Sequence, residues 1–265
     1  MSGSLERIYA LVLRHIHLLR GSMMRIIDSV YWPAVQMFTW GFFTQFLVGQ
    51  TSYVSQAFGV LLSGLMLWEV VVRGNLSLAT AFLEEMWSRN LGHLFVSPIR
   101  SWELATSIII VSLLRTLLGM IPVSLMAWAC FGYNVYTLGP ALLAFFLILQ
   151  MFAWSIGLMM SGLIMRVGQS AETFAWAAVF LLMPLSGVYY PVTILPGWLQ
   201  VLAQGVPTSY VFEGMRAILR DHTVQWDGLA ISAGLSVLYL AVGFQIFQAF
   251  YRSARRHGSL LTQGE

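Results

Sequence analysis

The chain has 265 residues, of which 58% are hydrophobic and only 9% charged, and its formal net charge is +3. Soluble domains carry about 25% charged residues to keep their surfaces wet, so the composition excludes a soluble globular protein and describes an integral membrane protein. All 14 basic residues are Arg; a P-loop requires a Lys to reach the β- and γ-phosphates, so a Walker-type ATP site in this chain is excluded too.

The lone cysteine, Cys130, excludes an internal disulfide and a thiolate metal site, and its apolar surroundings suggest a small buried residue. His15, His17, His93, His222 and His257 all lie outside the long apolar runs. An intramembrane protease needs a His at membrane depth, so this class is disfavoured, and no metal site is expected.

In chain order, residues 1–27 come first. At 100° per residue Leu5, Ile8, Val12, Ile16, Leu19, Met23 and Ile26 share one face, with Arg7, Arg14 and Arg25 opposite. The pattern predicts an amphipathic helix lying in the membrane surface, its Arg face toward anionic headgroups. It lacks the compact apolar core of a cleavable signal.

A membrane helix needs about 20 apolar residues. Residues 28–265 are read as one transmembrane domain of six such spans, near 29–48, 57–81, 103–131, 139–165, 171–190 and 228–250. The polar stretches "VGQTSYVSQ" (48–56) and "GYNVYTLGP" (132–140) divide two charge-free runs that are too long for single spans. Arg placement favours a cytoplasmic N-terminus, and an even span count puts both termini inside. The fold class is therefore all-α and multi-pass, in a cell membrane, with a bacterial inner membrane expected.

Three charges fall inside spans: Glu69 and Arg73 in the second, Arg115 in the third. Charges at that depth pair or face a cavity. Glu69 and Arg115 each lie about 12 residues, or about 18 Å, above the inner end of antiparallel neighbours. A structural Glu69–Arg115 ion pair is expected, with Arg73 nearer the inner mouth; a polar wall for a hydrophilic substrate is the other reading. Gly157 with Ser161, and Gly59 with Ser63, are small-xxx-small pairs that permit close helix approach. Trp40, Phe43, Trp176 and Phe180, in spans one and five, are candidate pathway-lining aromatics, since aromatic faces stack on sugar rings and slide past lipid tails; ordinary lipid-facing or core packing also accounts for each.

Between spans two and three, "FLEEMWSRNLGHLFVSPIRSWEL" (82–104) places Leu83, Trp87, Leu91 and Leu94 in an apolar stripe with Phe95 beside it. Glu84, Glu85, Ser88 and Arg89 point elsewhere. Ser97-Pro98 stops the helix, because the residue before Pro is pushed out of the α region. A new helix starts near Ser101, with Glu103 in its first turn, where the helix dipole favours a carboxylate. A short helix across the cytoplasmic mouth, near 83–96, could pass force from a cytosolic partner.

After span five, "LSGVYYPVTILPGWLQVLAQGVPTSYVFEGMRAIL" (185–219) breaks its helix at Gly187, Pro191, Pro196 and Gly197. It carries Tyr189, Tyr190 and Trp198, residues suited to the headgroup level.

These two segments, in this order and on opposite sides of the membrane, resemble the coupling-helix region and the second signature of ABC-2 type transporter permeases. Tyr210 stands where such proteins often carry His. The resemblance implies that Glu84, Glu85, Trp87, Arg89, Leu91, Leu94, Phe95, Ser97 and Pro98 couple the chain to a separate ATP-binding subunit, present in two copies. It implies a second permease chain, with a homodimer expected, and ATP and Mg on the partner subunit rather than here. The broken segment, near 190–220, becomes a re-entrant extracellular gate involving Gly187, Tyr189, Tyr190, Pro191, Pro196 and Trp198. No catalytic residues and no nucleic-acid contact are expected; the surrounding partner is membrane lipid. The expected activity is export of an amphipathic or hydrophobic molecule, either a lipid-linked saccharide or polysaccharide or a drug-like compound. The competing class is a self-contained secondary transporter or channel that uses Glu69 as its coupling acid.

Overall fold

The structure is a computed structural model and describes residues 2–50, 55–87, 97–168 and 172–257. Within them the chain forms α1 (Ser2–Arg20), α2 (Met23–Gln50), α3 (Ser55–Trp87), α4 (Ser101–Phe131), α5 (Pro140–Val167), α6 (Glu172–Ser186), α7 (Gly197–Gln204), α8 (Pro207–Asp221) and α9 (Trp226–His257), and no strand among the described residues.

The helix boundaries have local causes. Glu103 in the first turn of α4 accepts from the Arg100 backbone N–H at 2.9 Å. Gly132 ends α4 with a left-handed φ of 64°, a conformation that suits glycine because it lacks a Cβ. Asn134 then accepts from the Tyr136 N–H and opens a single 3₁₀ turn, Val135–Leu138. Pro140 and Pro207 occupy the first turns of α5 and α8, where a missing N–H removes no helical bond.

By length and apolarity, four helical stretches among the described residues can cross a membrane: Gly59–Glu85, Ser101–Phe131, Pro140–Val167 and Trp226–Arg255. The other two expected spans fall short of that measure. α2 has 28 residues, but Gln36, Thr39, Thr44 and Gln45 dilute its apolar run. α6 has only 15 residues, about 22 Å of helix at 1.5 Å per residue, and ends at Ser186 rather than near 190.

α5 is the central helix, packed along its length against α9 and α3. Two apolar clusters form the core. One gathers Phe145, Leu149, Phe152, Phe212 and Met215; the other, toward the α1 end, gathers Leu78, Phe82, Leu83, Leu104 and Phe247. Lipid gives apolar side chains little reason to leave it, so close backbone approach matters. A Cβ on Gly243 would stand 2.5 Å from the Ser155 carbonyl oxygen of α5. One on Gly157 would stand 2.7 Å from the Leu78 Cβ of α3, and one turn on the Ser161 hydroxyl donates to the Leu78 carbonyl at 3.4 Å. The Gly157/Ser161 pair is therefore the α5 surface on which α3 rests. Cys130, expected to be buried, is exposed near the end of α4.

Candidate functional site

Three features lie along the bundle: a cluster of ion pairs at the α1 end, a polar cleft above it, and a tied cap at the far end.

At the α1 end, the acids that close α3 and open α4 are taken up by arginines. Arg7 forks onto Glu103, with Nη2 to Oε1 at 2.6 Å and Nε to Oε2 at 3.0 Å. Those bonds raise the Arg7 pKa from its ordinary value. Arg14 donates to both oxygens of Glu85, at 2.5 and 2.6 Å, and the buried His15 lies 3.5 Å from the same carboxylate. Glu84 sits between Arg115 at 2.8 Å and Arg25 at 3.7 Å. Two expectations bear on this cluster. Arg7, Arg14 and Arg25 do not form a free headgroup-facing surface, because fixed carboxylates with fork geometry hold guanidinium groups better than mobile, screened headgroups do. The side of α1 left exposed carries Leu5, Tyr9 and Leu13, while Ile8 and Leu11 are buried. Glu84 and Glu85, expected to meet a partner subunit, are engaged inside the chain, and Glu85 is buried. Trp87 is the last residue of α3; Arg89, Leu91, Leu94 and Phe95 lie outside the described residues; Ser97 and Pro98 lead into α4.

The expected Glu69–Arg115 pair does not form. The backbone depths agree: the Ser112 hydroxyl donates to the Gly74 carbonyl, which sets Arg115 nearly level with residue 71. The side chains diverge because each Cα–Cβ bond tilts toward its own helix N-terminus, and α3 and α4 run antiparallel. Arg115 therefore reaches toward the α1 end, meeting Thr80 at 3.4 Å and Glu84 at 2.8 Å. Glu69 leans the other way, and Arg73, one turn along the same helix, leans back to it at 3.6 Å.

Glu69 and Arg73 face a cleft of about 330 Å³ between α2, α3, α4 and α6, lined also by Asp28, Trp32, Gln36, Arg115 and Trp176. An adjoining hollow of about 340 Å³ carries it down past Asp28 and Arg115 to Arg25 and Glu84. On α2, Trp32, Gln36 and Trp40 recur every four residues and so form one stripe. It climbs from the cleft to Tyr189, on which Trp40 stacks at 5.2 Å and 24°. Phe43 meets Trp40 edge-on at 5.7 Å, and Trp176 stacks on Phe180 at 6.4 Å along an exposed face of α6. Thus the four expected aromatics fall into two pairs, and Trp176 reaches the cleft.

The cap is the segment from Gly187 through α8. Gly187 takes a φ of 68° and turns the chain out of α6. Pro191 and Pro196 flank a 3₁₀ turn, Val192–Ile194, and Trp198 on α7 is exposed. Two side chains of α8 hold this loop, and sequence reading had not singled them out. Arg216, only 4% exposed, donates one nitrogen to the Gly187 carbonyl and to the Tyr190 carbonyl, the latter at 2.6 Å. Glu213 accepts from the Val192 N–H at 2.9 Å. Burial lowers the Arg216 pKa from its ordinary value, with Glu213 opposing. The Tyr190 hydroxyl donates to the Pro184 carbonyl at 3.0 Å. The available signal was an acid and a base three residues apart in a helix that otherwise buries Val211, Phe212 and Met215.

Four described helices long and apolar enough to cross a membrane, with interior charges gathered at a cleft, define the class as a multi-pass membrane protein. The profile of the ABC-2 type transporter family matches residues 7–219, and the chain belongs to that family. It is the membrane domain of an ABC transporter, and membership implies an ATP-binding subunit as partner. No curated protein matches the chain.

Proposed function

We propose that the chain is the permease subunit of an ATP-driven exporter, working as a homodimer with two ATP-binding subunits that carry ATP and Mg. Both termini and the α1 end lie in the cytoplasm of a cell with an inner membrane, and α7–α8 re-enter the outer leaflet. The single observation that carries the reading is the ion-pair cluster at the end of α3. Residues 88–96, the rest of the coupling segment, are covalently continuous with Glu84 and Glu85. Those carboxylates grip Arg14 on α1, Arg25 on α2 and Arg115 on α4. A push on the coupling segment by a nucleotide-driven subunit would reach four helices at once, three of which line the cleft.

The cleft then receives an amphipathic or hydrophobic substrate, a lipid-linked saccharide or a drug-like molecule, and the Trp40–Tyr189 stack closes its outer end beneath the cap. Trp198, Tyr189 and Tyr190 anchor the cap at the headgroup level. The alternative is a self-contained secondary transporter or channel that uses Glu69 as its coupling acid. The test is reconstitution. The chain alone in liposomes should accumulate no substrate against a gradient, and uptake should require co-reconstituted P-loop ATPase and MgATP. Sustained uphill transport by the chain alone would overturn the proposal in favour of the alternative.

A further inference from the structure

The ion pairs of this chain differ in how well they are closed. Arg7–Glu103, Arg14–Glu85 and Arg115–Glu84 meet at 2.5 to 2.8 Å. Glu69–Arg73 meets only at 3.6 Å, beyond hydrogen-bond length, although Glu69 is 6% exposed. The Arg73 Nε is buried with no hydrogen-bond partner among the described residues. A buried pair in such geometry is costly unless other groups complete its hydrogen bonds. The space beside it is the cleft.

The charges that line this cleft cancel. Asp28 and Glu69 face Arg73 and Arg115, and the hollow beneath adds one more of each sign, Glu84 and Arg25. An anionic or cationic ligand group would enter a neutral site and lose its hydration without a surplus counter-charge to receive it. A neutral group with both donors and acceptors loses little and completes the open pair. Ser29, Gln36, Ser77 and Thr80 supply further neutral hydrogen-bonding groups, while Trp32 and Trp176 supply ring faces. At about 330 Å³ the cleft is at the small end of small-molecule sites, with room for a headgroup and not for its tail.

We infer that the cleft is a headgroup site for an uncharged, hydroxyl-bearing ring of an amphipathic substrate: Glu69 accepts hydroxyl protons, Arg73 donates to hydroxyl oxygens, and the indole of Trp32 or Trp176 packs on the ring. The inference rests on the export reading for its physiological meaning, but its test uses neither ATP nor the partner subunit.

The full chain in nanodiscs is titrated with radiolabelled octyl β-glucoside below its micellar concentration, with empty nanodiscs subtracted. Saturable binding is expected, displaced by unlabelled octyl β-glucoside but not by equal concentrations of octyl phosphate, octyltrimethylammonium or free glucose. Glu69→Gln and Arg73→Gln should each weaken binding at least tenfold. Trp32→Ala, on an exposed part of α2, should weaken it severalfold with the ligand-free melting temperature unchanged, so the inference stays open to refutation should the ion-pair variants fail to fold. Absence of saturable binding, equal displacement by either charged probe, or wild-type affinity in folded Glu69→Gln and Trp32→Ala would overturn it. Displacement by free glucose would assign the cleft to soluble sugars and overturn it equally. ATP-driven transport without glycoside binding would sink this inference alone; glycoside binding without ATP-driven transport would sink the export reading alone.

Discussion

Replacing Arg216 by Ala removes the guanidinium nitrogen that donates to the Gly187 and Tyr190 carbonyls, and leaves Glu213 without its neighbouring counter-charge. Hydrogen bonds involving a charged group contribute about 1.5–3 kcal/mol each. Because both bonds share one nitrogen they are not independent, so about 3 kcal/mol is expected rather than their sum. That energy holds the loop, not the bundle: the core helices α3, α5 and α9 pack without Arg216. Local opening of residues 187–195 should therefore become about 100-fold more frequent, since each 1.4 kcal/mol is a factor of ten. Native-state amide exchange of the chain in nanodiscs reads this directly. Val192 N–H, bonded to Glu213, and Ile194 and Leu195 N–H, bonded within the 3₁₀ turn, are the reporters. Arg216→Lys keeps the charge but not the planar fork, and should recover part of the protection. If Arg216→Ala changes these amides by less than threefold, or raises exchange equally along α5, the assignment of Arg216 as the tie of the cap is wrong.

Gly243→Val places a side chain against the Ser155 backbone, which cannot yield, and should cost at least about 1–3 kcal/mol by overpacking. Gly234→Ala, on the same helix with nothing within 4 Å, should leave the melting temperature equal or higher; equal losses for both would refute the close-approach account. Glu85→Gln releases Arg14, whose side chain is 35% exposed, so the discounted cost is about 1–2 kcal/mol. Limited trypsin digestion should cut α1 roughly 5- to 30-fold faster, and an unchanged rate would mean that the ion pair does not hold α1. Trp40→Ala removes the ring stacked on Tyr189, an interaction of about 0.5–1.5 kcal/mol, and should raise exchange at Val188 and Tyr189 about two- to tenfold, with α5 unaffected.

The positions of the helices were legible in the sequence because runs of apolar residues broken by Gly, Pro and polar turns are local properties. Four of the expected spans meet the requirements for crossing a membrane, and α2 and α6 lie where the other two were expected, though one is too polar and the other too short. The family was legible for the same reason: its two signatures are contiguous stretches. The absence of Lys settled by chemistry alone that no P-loop lies in this chain.

Only the tertiary structure decided which charge meets which. Depth along a helix can be counted from the sequence, and Glu69 and Arg115 do lie near one level. Their side chains lean toward opposite helix ends, so Arg115 goes to Glu84 and Glu69 to Arg73. The arginines of α1 carry a similar lesson. Their shared face was readable from the heptad spacing of Arg7 and Arg14, but their choice of Glu103 and Glu85 over headgroups depends on acids about 70 to 100 residues away. Arg216 reaches back across 26 to 29 residues to two loop carbonyls. Local periodicity fixes where a side chain stands; long-range pairing in a low dielectric depends on the packing of the bundle.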